Sequence, residues 1–331
     1  MKYLKLFEEF ILEAETVDPK IQFLRLKKIE GSTDNDTMNK LTQQIAKRCF
    51  DEFVLKKYED RVDELKDLID TSRPIIYYGT KKGWSAEFID GLSKNSRDSI
   101  YNLPAEQIKT GSKVNFHKLF GDADFIPRTV FTVKDAKDLT YPIIAKPSEG
   151  MSGVGIEKFD SFEDLKNSDG EFDLYSECID FEREFRAMCL KDDLIVVYER
   201  VPIIKDNKTV GTKKRDEEVS FLYVDQDLDK LPILNKVKEL VKNFRKYIAL
   251  DLYSMDFFLD KKGKLWIIEG NASSGLGSNS LAATYPAIHA DFYGKEPSTD
   301  MKKFLQGVRE SYWKATTEDY PEEYKKSLSP Y

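Results

Sequence analysis

Asp256, Glu269 and Asn271 are three oxygen-bearing side chains on a stretch that is otherwise mostly apolar. Two runs, Leu252–Leu259 and Lys264–Glu269, flank the tight turn Lys261-Lys262-Gly263, and Asn271 follows two residues on. Paired as an antiparallel hairpin with Asp256 opposite Glu269, alternation puts Asp256, Glu269 and Asn271 on one face. Phe257 and Leu259 are then expected on the other, core face against Ile268 and Trp266. Two carboxylates and an amide converging in such a strand pair are costly to desolvate unless a cation neutralises them. Oxygen-only ligands select a hard ion, Mg2+ or Mn2+. The plain alternative, strongest for Asp256 taken alone, is a set of edge-strand polar residues in water.

A second group lies upstream. Gly150, Gly153 and Gly155 sit between two apolar strand-like runs, Pro142–Pro147 and Gly155–Lys158. The dinucleotide fingerprint and the P-loop both place their glycines between a strand and a helix, so neither fits. A glycine hairpin between strands can fold over a phosphate chain and donate backbone N–H groups to it. Lys146, just before the loop, adds a point charge beside those phosphates. Taken alone, such a loop is more often just a turn.

The remaining inventory excludes other chemistries. With only two histidines and three cysteines, none at metal-ligand spacing, a zinc site, a Ser-His-Asp triad and a Cys-His pair are not expected. Lys and Arg number 52 against 59 Asp and Glu, a net charge of −7, so a nucleic-acid partner is not expected. No apolar run approaches the ~20 residues of a membrane helix. Free thiols and an opening segment broken by charge fit the cytoplasm. Apolar residues at 40%, with aromatics at 12%, supply a real core and exclude a disordered chain.

Several elements must position these groups. Residues 3–13 read as an amphipathic helix and 31–36 as a polar loop. Met38, Leu41, Ile45 and Cys49 fall at helical spacing, and Val62, Leu65 and Leu68 predict that this helix or a partner continues to about Asp70. Pro74–Gly79 reads as a buried strand and Trp84–Leu92 as a helix, which makes 15–108 a small α/β region. Lys113–Phe120 is a helix ended by Gly121. Strands follow from Pro127, at 142–147 and 155–158, then a helix from Ser161 and strands at 174–178, 183–190 and 194–200. Pro232 opens a long helix with the stripe Leu234, Val237, Val241, Phe244 and Ile248. Lys213, Lys214 and Arg215 form a basic run in a flexible stretch, and helices and turns fill the rest.

Ile144-Ala145-Lys146-Pro147-Ser148-Glu149-Gly150-Met151-Ser152-Gly153-Val154-Gly155 and Ile268-Glu269-Gly270-Asn271-Ala272-Ser273-Ser274-Gly275-Leu276 resemble the ATP-grasp superfamily, over roughly 109–281. D-alanine–D-alanine ligases and ribosomal-protein-type glutamate ligases share this order of motifs. The resemblance implies an α/β (α+β) ATP-grasp fold, two α+β subdomains clamping ATP, behind an N-terminal α/β domain. The expected division is 15–108, then 109–180 as the small subdomain and 181–331 as the large, metal-bearing one. By position, Lys113 matches the first nucleotide lysine, with Lys118 as a substitute, and Lys146 the second. Ser152, Gly153, Val154 and Gly155 cover the phosphates. Glu177, Cys178 and Ile179 match the adenine hinge, and Glu184 the ribose carboxylate. Asp256, Glu269 and Asn271 match the metal hairpin. Arg186 and Arg200 resemble paired arginines that face the phosphates in the glutamate-ligase branch, and a guanidinium fork suits a transferring phosphoryl group. Arg200 reads equally as a surface residue at a strand end. The chain departs from the family at Ser254, where many ligases carry arginine, and at 212–219, which lacks the branch's Asn/His stretch.

The implied activity is ATP-dependent ligation of a carboxylate to an amine through an acyl phosphate, with Arg200 and Lys146 as catalytic groups and ATP with Mg2+ or Mn2+ as cofactors. The substrates are small molecules or proteins. A phosphotransferase and an inactive virion protein are the alternatives. Ile11-Leu12-Glu13-Ala14 also resembles the site at which proteins packaged in tailed-bacteriophage heads are cut, so 1–14 reads as a cleavable leader.

Overall fold

The computed structural model describes residues 18–25, 45, 47–54, 70, 73, 75–78, 100–102, 104–121, 123–148, 155–202, 204–205, 208–209, 218–224, 228–272 and 278–317. The leader 1–14, the helices expected at 3–13 and 84–92, the loop 31–36 and the basic run 213–215 lie outside them. Contacts divide the chain into Met1–Ala105 with Ser273–Tyr331, and Glu106–Ala272. The expected division grouped 181–331 together, whereas the contacts assign everything after Ala272 to the N-terminal unit.

In that discontinuous unit, β1 (Ile21–Arg25), β2 (Phe50–Val54), β3 (Ile75–Tyr78) and β4 (Ile100–Tyr101) form a parallel sheet in the order β2-β1-β3-β4. The helical spacing read through Cys49 gives way at Phe50, where the chain turns directly into β2, and the helix read over Val62, Leu65 and Leu68 lies outside the described residues. Cys49 and Phe50 are both buried, so pairing with β1 overrides the local helical pattern here. Helices Ser278–Tyr293 and Thr299–Thr317 complete the unit. Tyr285 meets Phe50 edge-on at 5.8 Å, and Phe292 stacks on Tyr101 at 4.1 Å.

The continuous unit holds two antiparallel sheets. The smaller is built from β5 (Thr129–Val130), β6 (Ile143–Lys146), β7 (Glu157–Phe159) and β8 (Leu174–Glu177), in the order β5-β8-β6-β7. Short helices Val133–Ala136 and Phe162–Lys166 cover it, each opened by a hydroxyl cap. Thr132 accepts from the Asp135 N–H, and Ser161 from the Asp164 N–H, at 3.1 Å in both cases.

The larger sheet contains β9 (Phe181–Leu190) and β10 (Asp193–Pro202). After a ribbon of β11 (Ile204–Lys205) and β12 (Lys208–Thr209), it takes β13 (Glu218–Val224), β14 (Leu252–Asp260) and β15 (Leu265–Asn271). The order is β13-β10-β9-β14-β15. Strand β13 begins beyond the basic run 213–215. Phe185, Ala187, Val197, Met255, Phe257 and Ile267 line the buried face. Helix Leu234–Arg245 packs there through Val237, Val241 and Phe244, and helix Lys113–Phe120 through Phe116 and Phe120. The first of these helices starts at Leu234, after Pro232, and Ile248 is buried beyond its end.

Gly270 marks where the two helices meet β15. A Cβ there would stand 2.8 Å from Phe116 Cε2 and 3.0 Å from Phe244 Cζ. Gly270→Ala is therefore expected to cost about 1–3 kcal/mol by overpacking, read as a lowered midpoint in urea unfolding.

Candidate active site

The residues expected to do chemistry lie on the face of the large sheet opposite its core. Register sets Arg186 of β9 between Asp256 of β14 and Tyr198 of β10, and Glu184 between Phe258 and Arg200. Across the terminal hairpin, Asp256 pairs with Glu269 and Ser254 with Asn271. A bulge follows at once, because Phe257 pairs with Ile267 and Ile268 is the extra residue. The core partners of Phe257 and Leu259 are consequently Ile267 and Leu265, not the expected Ile268 and Trp266, which are only partly buried. Unbroken alternation would have placed Glu269 on the same face as Ile267. The inserted residue reverses the parity and puts Glu269 and Asn271 beside Asp256.

Arg186 grips Asp256 with both arms of its fork, Nε to Oδ1 at 2.5 Å and Nη2 to Oδ2 at 2.6 Å. Burial opposes the Arg186 charge, but Asp256, then Glu269 and Tyr198, more than offset it and hold its pKa above the ordinary arginine value. The Ser254 hydroxyl is buried with no hydrogen-bond partner among the described residues. No group of three or more His, Cys, Asp or Glu gathers as a metal cage among the described residues. The donor set is instead two carboxylates and an amide. It suits a hard cation, and a guanidinium stands at it as the counter-charge.

Lys146 ends β6 at the mouth of the glycine loop. The Asp173 N–H donates to the Lys146 carbonyl at 3.0 Å, and the Ser148 N–H donates to the Asp173 carboxylate at 2.6 Å. The Lys113 N–H, at the start of its helix, donates to the Ser148 carbonyl at 3.1 Å. The base of the loop is thereby tied to a helix N-terminus. Burial lowers the Lys146 pKa to about 8, with Glu269 and Cys178 raising it and Lys113 lowering it, so these groups lie within electrostatic reach of one another. Burial, then the Lys146 charge, takes His117 down to about 3. That imidazole is neutral at physiological pH, with its Nδ1 3.1 Å from Thr129 Oγ1.

An anion bound at Lys146 would raise its pKa, so binding takes up a proton above pH 8. Affinity for a nucleotide–metal complex is expected to be flat below pH 8 and to fall above it, by up to about tenfold per pH unit. Calorimetry across pH 7–10 reads this, and Lys146→Arg should flatten the curve.

At the hinge, the Glu177 carboxylate accepts the Thr140 N–H at 3.0 Å and lies 3.9 Å from Arg128. The Cys178 N–H donates to the Pro142 carbonyl at 2.9 Å, and the Ile179 carbonyl accepts from the Phe181 N–H. Glu177 and the Cys178 N–H are thus engaged within the protein. Gly155 adopts φ +73°, and a Cβ there would meet Pro147 Cγ at 3.1 Å. Ser152, Gly153, Val154 and the Arg200 side chain lie outside the described residues; the Arg200 backbone pairs with Glu184 in the sheet.

Sequence reasoning missed Asp173, whose role as a loop anchor has no local signature. It also missed Arg183, which makes a second forked pair, with Glu199, at 2.6 and 2.5 Å. Arg183 and Glu199 are out of phase with Glu184 and Arg186 along their strands, so that pair lies away from the site face.

A family model described as D-ala D-ala ligase C-terminus matches residues 112–291, more than half of the chain. A coenzyme gamma-F420-2:alpha-L-glutamate ligase of Methanococcus maripaludis is 25% identical over 190 residues, 55% of this chain and 62% of that protein. A D-alanine–D-alanine ligase of Francisella tularensis subsp. novicida is 25% identical over 150 residues, 44% of this chain and 49% of that one. The chain thus spans less than two thirds of the length of these curated relatives. Among solved structures, N5-carboxyaminoimidazole synthetase from Staphylococcus aureus complexed with ADP superposes with TM-score 0.59 at 12% identity, over 86% of this chain and 80% of that one. D-alanine–D-alanine ligase from Bacillus anthracis does so with TM-score 0.52 at 13% identity, over 91% and 100%. The fold is ATP-grasp, mixed α and β, as expected from the motifs.

Proposed function

Because this chain belongs to the D-ala D-ala ligase C-terminus family, we propose that it is an ATP-dependent carboxylate–amine ligase working through an acyl phosphate. The observation that carries the reading is the convergence of Asp256, Glu269 and Asn271 on one sheet face, with Lys146 of the second sheet in electrostatic reach of Glu269. Asp256, Glu269 and Asn271 would hold Mg2+ or Mn2+, which supplies charge neutralisation at the β- and γ-phosphates. Lys113, Lys146 and the amides of 152–155 hold the phosphate chain. The carbonyl of Cys178 and the N–H of Ile179 meet the adenine edge, with Glu177 bracing the hinge through Thr140. Glu184 takes the ribose hydroxyls, and Arg186 and Arg200 face the transferring phosphoryl group.

The substrate carboxylate oxygen attacks the γ-phosphorus and ADP leaves. An amine then attacks the acyl carbon, phosphate leaves, and the amine proton passes to solvent. Catalysis is positioning and electrostatics. No helix among the described residues is long and apolar enough to cross a bilayer.

The test is a screen of amino acids and peptides as paired carboxylates and amines, with the carboxylate labelled with heavy oxygen. Ligation moves one labelled oxygen into inorganic phosphate and requires both substrates. ADP formed with one acceptor, and phosphate retained on it, makes the protein a phosphotransferase instead. For the leader read in residues 1–14, the reading is cleavage after Glu13 on packaging into a phage head, with action in the host cytoplasm. It expects a particle-borne chain starting at Ala14, read by intact mass.

A further inference from the structure

Both oxygens of Asp256, a proposed metal ligand, are taken within the protein. Arg186 spans them with a two-pronged bond from the neighbouring strand. The pair is largely shielded from water, with side-chain exposures of 21% and 11%. A guanidinium in this geometry neutralises a carboxylate well, and its departure leaves a shielded anion without a counter-charge. Charge balance points the same way. Asp256 and Glu269 are offset by Arg186 and by Lys146, which is within reach of Glu269. A bare dication would displace the guanidinium from its forked anion without bringing another to replace it. A dication carried on a triphosphate brings that anion along.

We infer that Arg186 acts as a place-holder in the metal site, so that a divalent cation is admitted only together with a polyphosphate onto which Arg186 can transfer. The inference rests on the metal reading of Asp256, Glu269 and Asn271 given above and adds an order of events to it. Free cation is excluded, nucleotide and cation enter as one, and the arginine passes from Asp256 to the phosphate oxygens. Arg186 is a positioning residue in the resting protein, and its exchange couples cation affinity to the nucleotide.

The test is Mn2+ binding to the purified full chain, followed by water-proton relaxation and by thermal shift, with and without a non-hydrolysable ATP analogue. Wild type is expected to bind Mn2+ weakly alone and tightly with the analogue. Arg186→Met, which keeps the bulk and removes the fork, is expected to bind Mn2+ alone about tenfold tighter than wild type or better. Its melting temperature should also rise more steeply with Mn2+. Arg186→Lys, which keeps a charge without the two-pronged geometry, should fall between them and guards against a folding defect in the methionine variant. Equal Mn2+ affinity of all three nucleotide-free proteins overturns the inference while leaving the metal site standing, provided the analogue still recruits Mn2+. Failure of wild type to take up Mn2+ even with the analogue overturns the metal reading itself, and the inference with it.

Discussion

Glu269→Gln is expected to end ATP turnover, by about a thousandfold or more in kcat, while the protein melts close to wild type. The amide keeps the volume and one oxygen but removes the charge that balances a cation beside developing phosphate charge, and such electrostatic groups dominate phosphoryl transfer. Asp256→Asn should be equally inactive, yet its stability should differ. Asp256 is the forked partner of Arg186, and both are mostly shielded. Breaking a buried pair from one side costs about 3 kcal/mol, so Asp256→Asn should melt several degrees lower. ADP release and thermal melts on the two variants separate these effects. Undiminished ADP release by Glu269→Gln would remove the metal hairpin from the mechanism.

Lys146→Met is expected to weaken nucleotide binding by about a hundredfold, the scale of a lost hydrogen bond to a charged group in a shielded site. It should do so without a loss of stability. Lys146 has a pKa of about 8 in the folded protein against the ordinary 10.5, so its charge is unfavourable in the resting fold. Between those two values the unfolded chain binds more protons than the folded one, so through this group wild-type stability rises with pH across that window. Lys146→Met should lack the rise and equal or exceed wild type at pH 7. Calorimetric affinity and urea unfolding at pH 7 and 10 measure both. A methionine variant that binds nucleotide like wild type would place the phosphates elsewhere.

The terminal hairpin was readable because a short turn fixes register and because acidic residues interrupt a strand pattern. The bulge was not. Leu265, Trp266, Ile267 and Ile268 are all apolar, so a change of parity within them leaves no mark in the alternation, and the core partners of Phe257 and Leu259 were assigned wrongly. Helix Lys113–Phe120 and the cap at Ser161 were legible because their determinants are local. The Arg186–Asp256 bond joins residues 70 apart and exists only because β9 lies between β10 and β14, an order no periodicity encodes. Strand β2 and the return of 278–317 to the N-terminal unit escaped for the same reason: partners far along the chain decide them.

That return has a consequence for synthesis. Phe50 emerges from the ribosome long before Tyr285, against which its ring packs, and Tyr101 long before Phe292. The unit that runs uninterrupted from Glu106 to Ala272 can close on itself during translation, while the parallel strands ahead of it wait for the last helices to appear. A chain stopped early, near Ala272, would leave Phe50 and Tyr101 without the rings that cover them, and quality control would meet that apolar surface first.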